Sequence, residues 1–136
     1  MKSRRLPSAR TMSPSEDERN FRSRIIEDHR PWGKFRAFPH EQAGSIKIIT
    51  VNPGGSLSLQ SHRRRAEFWV ALDEGLEVTV GDRVWRPAAD EEIYIPREDR
   101  HRVRGVGPRP ARIMEIWLGD SDENDIVRYE DVYGRK

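Results

Sequence analysis

The stretch that decides the fold is SIKIITVNPGGSLSLQSHRRRAEFWVAL, residues 45–72. Its apolar and polar residues alternate with a period of two, and the sequence NPGG at 52–55 interrupts the alternation as a turn would. Turn signals separate it from further segments of this kind at 76–80, 92–96, 101–104 and 111–118. Many short strands at close spacing are typical of an all-β sandwich or barrel. We therefore predict a small β-barrel over residues 45–118.

The composition limits the classes to which this protein can belong. The chain has 136 residues, of which 35% are charged, and its formal net charge is +2, so a single compact domain is expected. It has no cysteine, which excludes disulfides, thiolate metal ligands and thiol catalysis. No apolar stretch approaches the ~20 residues of a transmembrane helix, and no apolar segment follows the basic N-terminus as in a secretory signal. We expect a cytoplasmic protein that does not bind membranes.

The segments outside the barrel have their own character. Residues 1–20 have almost no large apolar side chains and are predicted to be disordered. No aromatic residues interleave with their arginines, so nucleic-acid binding is not expected. Residues 21–44 lead into the barrel, and the Ser15 to Glu18 spacing of a capping box favours a short helix at their start. Residues 119–136 are predicted to form a C-terminal tail that packs on the barrel.

One face of the second predicted strand is polar, opposite two leucines, and carries Ser58, Gln60, His62 and Arg64. In an ordinary half-exposed strand such a face meets water. Two nearby segments favour an interior position instead, because they add a carboxylate at Glu67 and a second imidazole at His101. Two imidazoles and a carboxylate from separate strands are the kind of set that holds a divalent metal with open positions.

Residues 52–69 have the sequence NPGGSLSLQSHRRRAEFW, and residues 94–101 have the sequence YIPREDRH. They resemble the first and second cupin motifs of type II mannose-6-phosphate isomerases. The first and last motifs of the family resemble RPWG at 30–33 and DIVRYEDVYGR at 125–135. In the family this domain is the C-terminal part of bifunctional mannose-1-phosphate guanylyltransferase/mannose-6-phosphate isomerases, or a separate short protein. The resemblance implies a cupin double-stranded β-helix, a jelly-roll barrel with its site inside.

The resemblance also implies a reaction, the interconversion of mannose 6-phosphate and fructose 6-phosphate for nucleotide-sugar and polysaccharide synthesis. Moving a proton between C1 and C2 through an enediol needs a base, an electrophile at the carbonyl and a cationic contact to the phosphate. The resemblance implies that His62, Glu67 and His101 would hold a divalent metal such as Zn, Mn, Fe or Ni.

Further roles follow from the same resemblance. Gln60 would orient the sugar phosphate, and Arg64 or Lys47 would contact its phosphate. Lys47 is also a candidate base, although a lysine on an edge strand is more often a surface residue. A homodimer is expected, since cupins commonly pair through the edges of their barrels.

The chain departs from the family pattern at three positions. The pattern has histidine where this chain has Arg64 and Phe68, and glycine where it has Glu98. Neither arginine nor phenylalanine can ligate a metal. Arg64 either enters the cavity and clamps a phosphate in place of a metal, or leaves the three predicted ligands to hold one, because a buried arginine and a dication repel each other. The predicted function is the isomerase; the alternative is a non-catalytic cupin that binds a sugar or small anion, its metal site weakened or lost.

Overall fold

A computed structural model describes residues 14–119, 122 and 124–134. These residues form one helix and eleven strands, so the all-β prediction is confirmed. The helix is α1 (Glu16–Ser23). The strands are β1 (Ile26–Arg30), β2 (Gly33–Ala37), β3 (Ala43–Val51), β4 (Leu59–Ser61), β5 (Arg65–Ala71), β6 (Leu76–Val80), β7 (Arg83–Trp85), β8 (Glu92–Ile95), β9 (His101–Gly105), β10 (Ala111–Gly119) and β11 (Val127–Glu130).

Two antiparallel sheets form the barrel. The first has the strand order β3-β10-β5-β8, and the second has the order β11-β4-β9-β6-β7. In the first sheet Glu67 lies opposite Trp117, and Glu115 lies opposite both Trp69 and Lys47. Residues that lie directly opposite each other in an antiparallel pair share one face of the sheet. The register therefore places all five of these side chains on one face.

Apolar clusters occupy both faces of the first sheet. The inner cluster fills the space between the sheets and comprises Val51, Trp69, Leu76, Val78, Val80, Ile93, Ile95, Val103, Ala111 and Ile113. The outer cluster includes Phe21 of α1 and comprises with it Ala66, Phe68, Val70, Tyr94, Ile116 and Leu118. Along β5 the inward residues pass from Arg65 and Glu67 to Trp69 and Ala71, so the interior is polar at one end of this strand.

The N-terminal part of the described chain is more ordered than predicted. Helix α1 begins at Glu16, so the prediction of disorder is wrong for residues 16–20. The Ser15 hydroxyl accepts a hydrogen bond from the Glu18 N–H at 3.1 Å, and Phe21 is buried against Phe68 with 4.7 Å between ring centroids. The rest of the predicted tail, residues 1–13, lies outside the described residues. A hairpin of β1 and β2, which the sequence did not indicate, follows the helix.

The C-terminal segment adds a strand to the barrel, because β11 pairs with β4. The Tyr129 and Ser61 hydroxyls are hydrogen-bonded at 2.9 Å. No helix in the described part of the chain is long and apolar enough to cross a lipid bilayer.

The turn between β8 and β9 adopts a backbone conformation that favours glycine. Glu98 has a φ of 72°, and its N–H donates to the His62 carbonyl at 2.7 Å. This is the position at which the family pattern has glycine. The turn forms with glutamate instead of glycine, but the Cβ of glutamate causes steric strain in this left-handed backbone conformation.

Replacing Glu98 by glycine should raise the free energy of unfolding by about 1 kcal/mol, because relief of the strain exceeds the extra entropy of an unfolded glycine. Denaturant unfolding with an unchanged m-value measures this difference. Glu98→Ala is the matched control, since it removes the same charge and keeps the Cβ. An equal gain in both variants would show that charge, and not backbone strain, is responsible.

Candidate metal centre

Three side chains from separate segments converge inside the barrel. His62 follows β4, Glu67 lies within β5, and His101 begins β9; their exposed fractions are 3%, 1% and 2%. One ligand atom from each lies within 4.8 Å of the other two. The Nε2 of His62 is 3.1 Å from Oε2 of Glu67, and the Nε2 of His101 is 3.9 Å from Oε1. The structure thus brings the three predicted metal ligands together.

Both imidazoles are oriented by hydrogen bonds at Nδ1. The Nδ1 of His62 lies 2.6 Å from the Asp125 carbonyl, and that of His101 lies 3.1 Å from the Asp99 carbonyl. Since a carbonyl only accepts, each Nδ1 carries the proton and each Nε2 is left towards Glu67. Such outer hydrogen bonds are usual for histidines that ligate metals.

The state of His101 also suits a ligand. Burial lowers the pKa of its imidazole, so the ring is neutral at pH 7 and Nε2 retains its lone pair. This Nε2 is buried and has no hydrogen-bond partner among the described residues. A buried acceptor of this kind needs a compensating group. The three residues therefore fit a divalent metal.

The carboxylate of Glu67 is held by donors on both oxygens. The Trp69 indole N–H donates to Oε1 at 2.9 Å, and Arg65 Nε donates to Oε2 at 3.2 Å. Burial opposes ionisation, but the hydrogen bond with His62 and neighbouring charges outweigh it and hold the pKa of Glu67 below its usual value. The site therefore contains a negative charge inside the barrel.

A second carboxyl group lies beside the first. Burial and the negative charge of Glu67 raise the pKa of Glu115 to about 8. Glu115 is therefore mainly protonated at pH 7, and it is hydrogen-bonded to Glu67. Its Oε1 accepts the indole N–H of Trp117 at 2.7 Å. The pair carries a single negative charge, which is less repulsive than two.

The arginine at the site is Arg65, and the prediction for Arg64 is wrong. The Arg64 side chain is 54% exposed and pairs with Asp122 at 3.2 Å. Strand β4 ends at Ser61, and the chain turns before β5, where the Asp125 carboxylate accepts the N–H groups of Arg63 and Arg64 at 3.0 and 2.8 Å. The turn breaks the alternation that would have placed Arg64 beside His62.

Arg65 makes four contacts in the interior, where it is 4% exposed. Besides the bond from Nε to Glu67, its Nη2 lies 3.2 Å from Nε2 of His62, and Nη1 donates to the Asp122 carbonyl at 3.2 Å. The guanidinium lies over the Trp117 ring, 3.5 Å from its centroid. Arg65 thus contacts two of the three candidate ligands.

The other two predicted site residues, Lys47 and Gln60, lie on inner faces, whereas Phe68 lies on an outer face. Lys47 points inward although β3 is an edge strand, and its Nζ lies 4.3 Å from the centroid of the Trp117 ring. Gln60 lies opposite His101 and so shares its face. Phe68 belongs to the outer cluster on the opposite face from Glu67. A histidine at position 68 would therefore not reach the metal candidates without a change of the strand.

Sequence reasoning missed Arg65, Glu115 and Asp125. Arg65 is two residues before Glu67, so the period of β5 indicates a shared face once the strand boundary is known. Glu115 stands between apolar residues of a core strand, where a carboxyl group is unusual. The role of Asp125 depends on a contact across 62 residues of chain, which no local pattern indicates.

Comparison with known proteins gives a consistent result. The family described as Mannose-6-phosphate isomerase C-terminal matches residues 17–131. The xanthan biosynthesis protein XanB of Xanthomonas campestris pv. campestris is 42% identical over 108 residues, and the alginate biosynthesis protein AlgA of Pseudomonas putida is 41% identical over 111 residues. These alignments cover 79% and 81% of this chain and 23% of each relative. The chain thus spans about a quarter of the length of the curated relatives.

Solved structures share the fold. A dTDP sugar isomerase from Desulfovibrio desulfuricans superposes with a TM-score of 0.61 at 13% identity, covering 79% of this chain and 82% of that one. A cupin 2 domain-containing protein from Halorhodospira halophila has a TM-score of 0.55 at 24% identity, covering 62% and 57%. At these identities the likeness concerns the cupin fold alone.

Replacing Asp125 by alanine should lower the free energy of unfolding by about 1–3 kcal/mol, because two backbone N–H groups lose their acceptor. Thermal or denaturant unfolding measures the loss. Asp82→Ala, in the exposed β6–β7 turn, is the control and should stay within about 0.5 kcal/mol of the wild type. The proposed anchoring by Asp125 is contradicted if both variants are equally stable.

Proposed function

The chain belongs to the mannose-6-phosphate isomerase C-terminal family, and from this we propose that it catalyses a metal-assisted aldose–ketose isomerisation of a sugar phosphate. One observation carries the proposal. Two oriented imidazoles and an ionised carboxylate converge in the barrel, and the Nε2 of His101 lacks any hydrogen-bond partner in the described part of the chain. Three donors from the protein leave positions open for substrate oxygens.

The ligands would be His62, Glu67 and His101. A divalent metal bound there would act as a Lewis acid and polarise the carbonyl of the sugar. The protonated Nδ1 of each histidine would keep Nε2 available, and the Trp69 indole would hold one oxygen of Glu67 in place.

The substrate contacts are proposed from position and charge. Lys47 faces the interior beside Trp117, which suits a contact to the phosphate or a role as base. Gln60 lies opposite His101 and would orient the sugar. The phosphate contact that the sequence assigned to Arg64 passes to Arg65 in this proposal, because Arg65 is the interior arginine. We propose mannose 6-phosphate and fructose 6-phosphate as the substrate pair.

The biological context comes from the relatives. Those that match are named for xanthan and alginate biosynthesis and for mannose-1-phosphate guanylyltransferase. We therefore propose that the product feeds nucleotide-sugar and polysaccharide synthesis in the cytoplasm.

A second candidate is a non-catalytic cupin that binds a sugar or small anion. The contacts of Arg65 favour it, because the guanidinium hydrogen-bonds two groups that a metal would need. In this case the positive charge of Arg65 takes the place of the metal charge and a phosphate is bound without catalysis.

Metal content and isomerase activity distinguish the two candidates. Wild-type protein incubated with divalent metal should retain about one equivalent and interconvert the two sugar phosphates, and His101→Ala should lose both properties. His29→Ala is the matched control, because His29 is exposed and lies outside the site. Elemental analysis and a coupled assay for fructose 6-phosphate provide the measurements.

Two outcomes would count against the isomerase. If wild-type protein holds metal but does not interconvert the two sugar phosphates, the proposed reaction is contradicted. Protein without metal that still binds phosphate would support the non-catalytic candidate.

The expected homodimer stays a prediction, and we propose the outer face of β3 as its interface. Ile46 and Ile48 are exposed by 62% and 59% on this face, and β3 is an edge strand of its sheet. A second copy of the chain has the same apolar edge, so pairing about a two-fold axis would bury the edges of both copies.

Sedimentation equilibrium tests this interface. Ile48→Lys should shift the protein to monomer at concentrations at which the wild type is a dimer. Ile26→Lys introduces the same charge at an equally exposed isoleucine of β1 and should have no effect. A monomeric wild type would contradict the dimer.

A further inference from the structure

We propose that Arg65 is a displaceable internal cation, which occupies the place of the metal between His62 and Glu67 and withdraws when a divalent metal binds. The inference rests on the proposed metal site and concerns its regulation. It is carried by the four contacts of one buried guanidinium.

Two of these contacts involve the atoms that a metal would use. The Nε of Arg65 donates to Oε2 of Glu67, and Nη2 lies against Nε2 of His62, both at 3.2 Å. The Nδ1 of His62 hydrogen-bonds the Asp125 carbonyl, so in the neutral ring Nε2 is the nitrogen that has a lone pair for a metal. Arg65 therefore contacts a candidate ligand atom on each of two residues.

His62 and Glu67 are close enough for one cation to contact both. The Nε2 of His62 lies 3.1 Å from Oε2 of the ionised carboxylate of Glu67. A positive charge beside these two atoms compensates the buried carboxylate. The guanidinium provides that charge in this structure, and a divalent metal would provide it in the loaded protein.

The guanidinium and a dication exclude each other from this position. Both would lie within hydrogen-bond or coordination distance of the same two atoms, where their repulsion is weakly screened by water. Metal binding thus requires Arg65 to give up its bonds to His62 and Glu67. The free energy needed to break those bonds lowers the affinity of the site for the metal.

The remaining two contacts keep the displaced arginine near the site. Nη1 donates to the Asp122 carbonyl, and the guanidinium lies over the Trp117 ring. Neither contact uses a candidate ligand. A guanidinium released from His62 and Glu67 has free N–H groups in the geometry that binds a phosphate bidentately. Metal binding should therefore increase the affinity for the phosphate of a substrate.

Titration with Co²⁺ alone tests the proposal without reference to catalysis, because bound Co²⁺ has visible absorption that reports the ligand set. Arg65→Gln should bind Co²⁺ on the order of tenfold more tightly than the wild type, since the competing charged hydrogen bonds are removed. Arg64→Gln is the matched control: it removes the same charge from an exposed neighbour and should leave the affinity unchanged. Arg65→Lys, which retains a competing cation, should bind no more tightly than the wild type.

A second measurement covers the case in which Arg65→Gln does not fold. In wild-type protein, Co²⁺ or Zn²⁺ should change the tryptophan emission, because the guanidinium over Trp117 changes its position. The change should be absent in His101→Ala and much reduced in Trp117→Phe. Zn²⁺ that binds without altering the emission of Trp117 would overturn the displacement.

The outcomes separate this inference from the proposed function. Equal affinity in the wild type and Arg65→Gln overturns the role of Arg65 and leaves the metal-dependent isomerase standing. Metal binding by Arg65→Gln alone supports the role of Arg65 and overturns the metal-dependent isomerase in the natural chain. Binding by neither protein overturns both.

Discussion

The buried carboxylate of Glu67 is the constraint on which the polar interior depends. A carboxylate at 1% exposure loses its hydration, and the loss is tolerable only if neighbouring groups compensate for it. His62, Arg65 and Trp69 supply the compensation from fixed positions on and beside β5. Each partner is itself buried, so none can move away from Glu67 unless another positive charge takes its place.

The second carboxyl group extends this arrangement across the sheet. Burial and the negative charge of Glu67 raise the pKa of Glu115 on β10 and keep it mainly protonated, and it lies opposite Lys47 on β3 in the register of the strands. The indole of Trp117 donates to Glu115, while the face of its ring contacts both Lys47 and Arg65. Ionisable side chains from three adjacent strands thus contact one aromatic side chain. A change in the position of Arg65 would therefore alter the environment of the Trp117 ring.

Much of the fold follows from local pattern, whereas the site follows from it only in part. The period of two in residues 45–72 and the turn signals between later strands were sufficient to predict the barrel, because alternation reports directly on a sheet with one buried face. The same reasoning found His62, Glu67 and His101. It failed at Arg64 because it carried the alternation through the turn that precedes β5, where Asp125 binds two backbone N–H groups. Successive residues of a strand point to opposite faces, so an error of one residue assigned the interior position to Arg64 instead of Arg65.

The sequence by itself determined the all-β architecture, the family and the three residue types that form the candidate metal centre, since these depend on periodicity and on short ordered motifs. The tertiary structure alone decided which arginine enters the barrel, that Lys47 faces inward, and that Glu115 is paired with Glu67. These features depend on strand boundaries and on the register between distant strands, which local sequence does not specify. At the stretch of residues 45–72 the pattern predicts the strands, and the tertiary structure places Arg65 against two of the three candidate ligands.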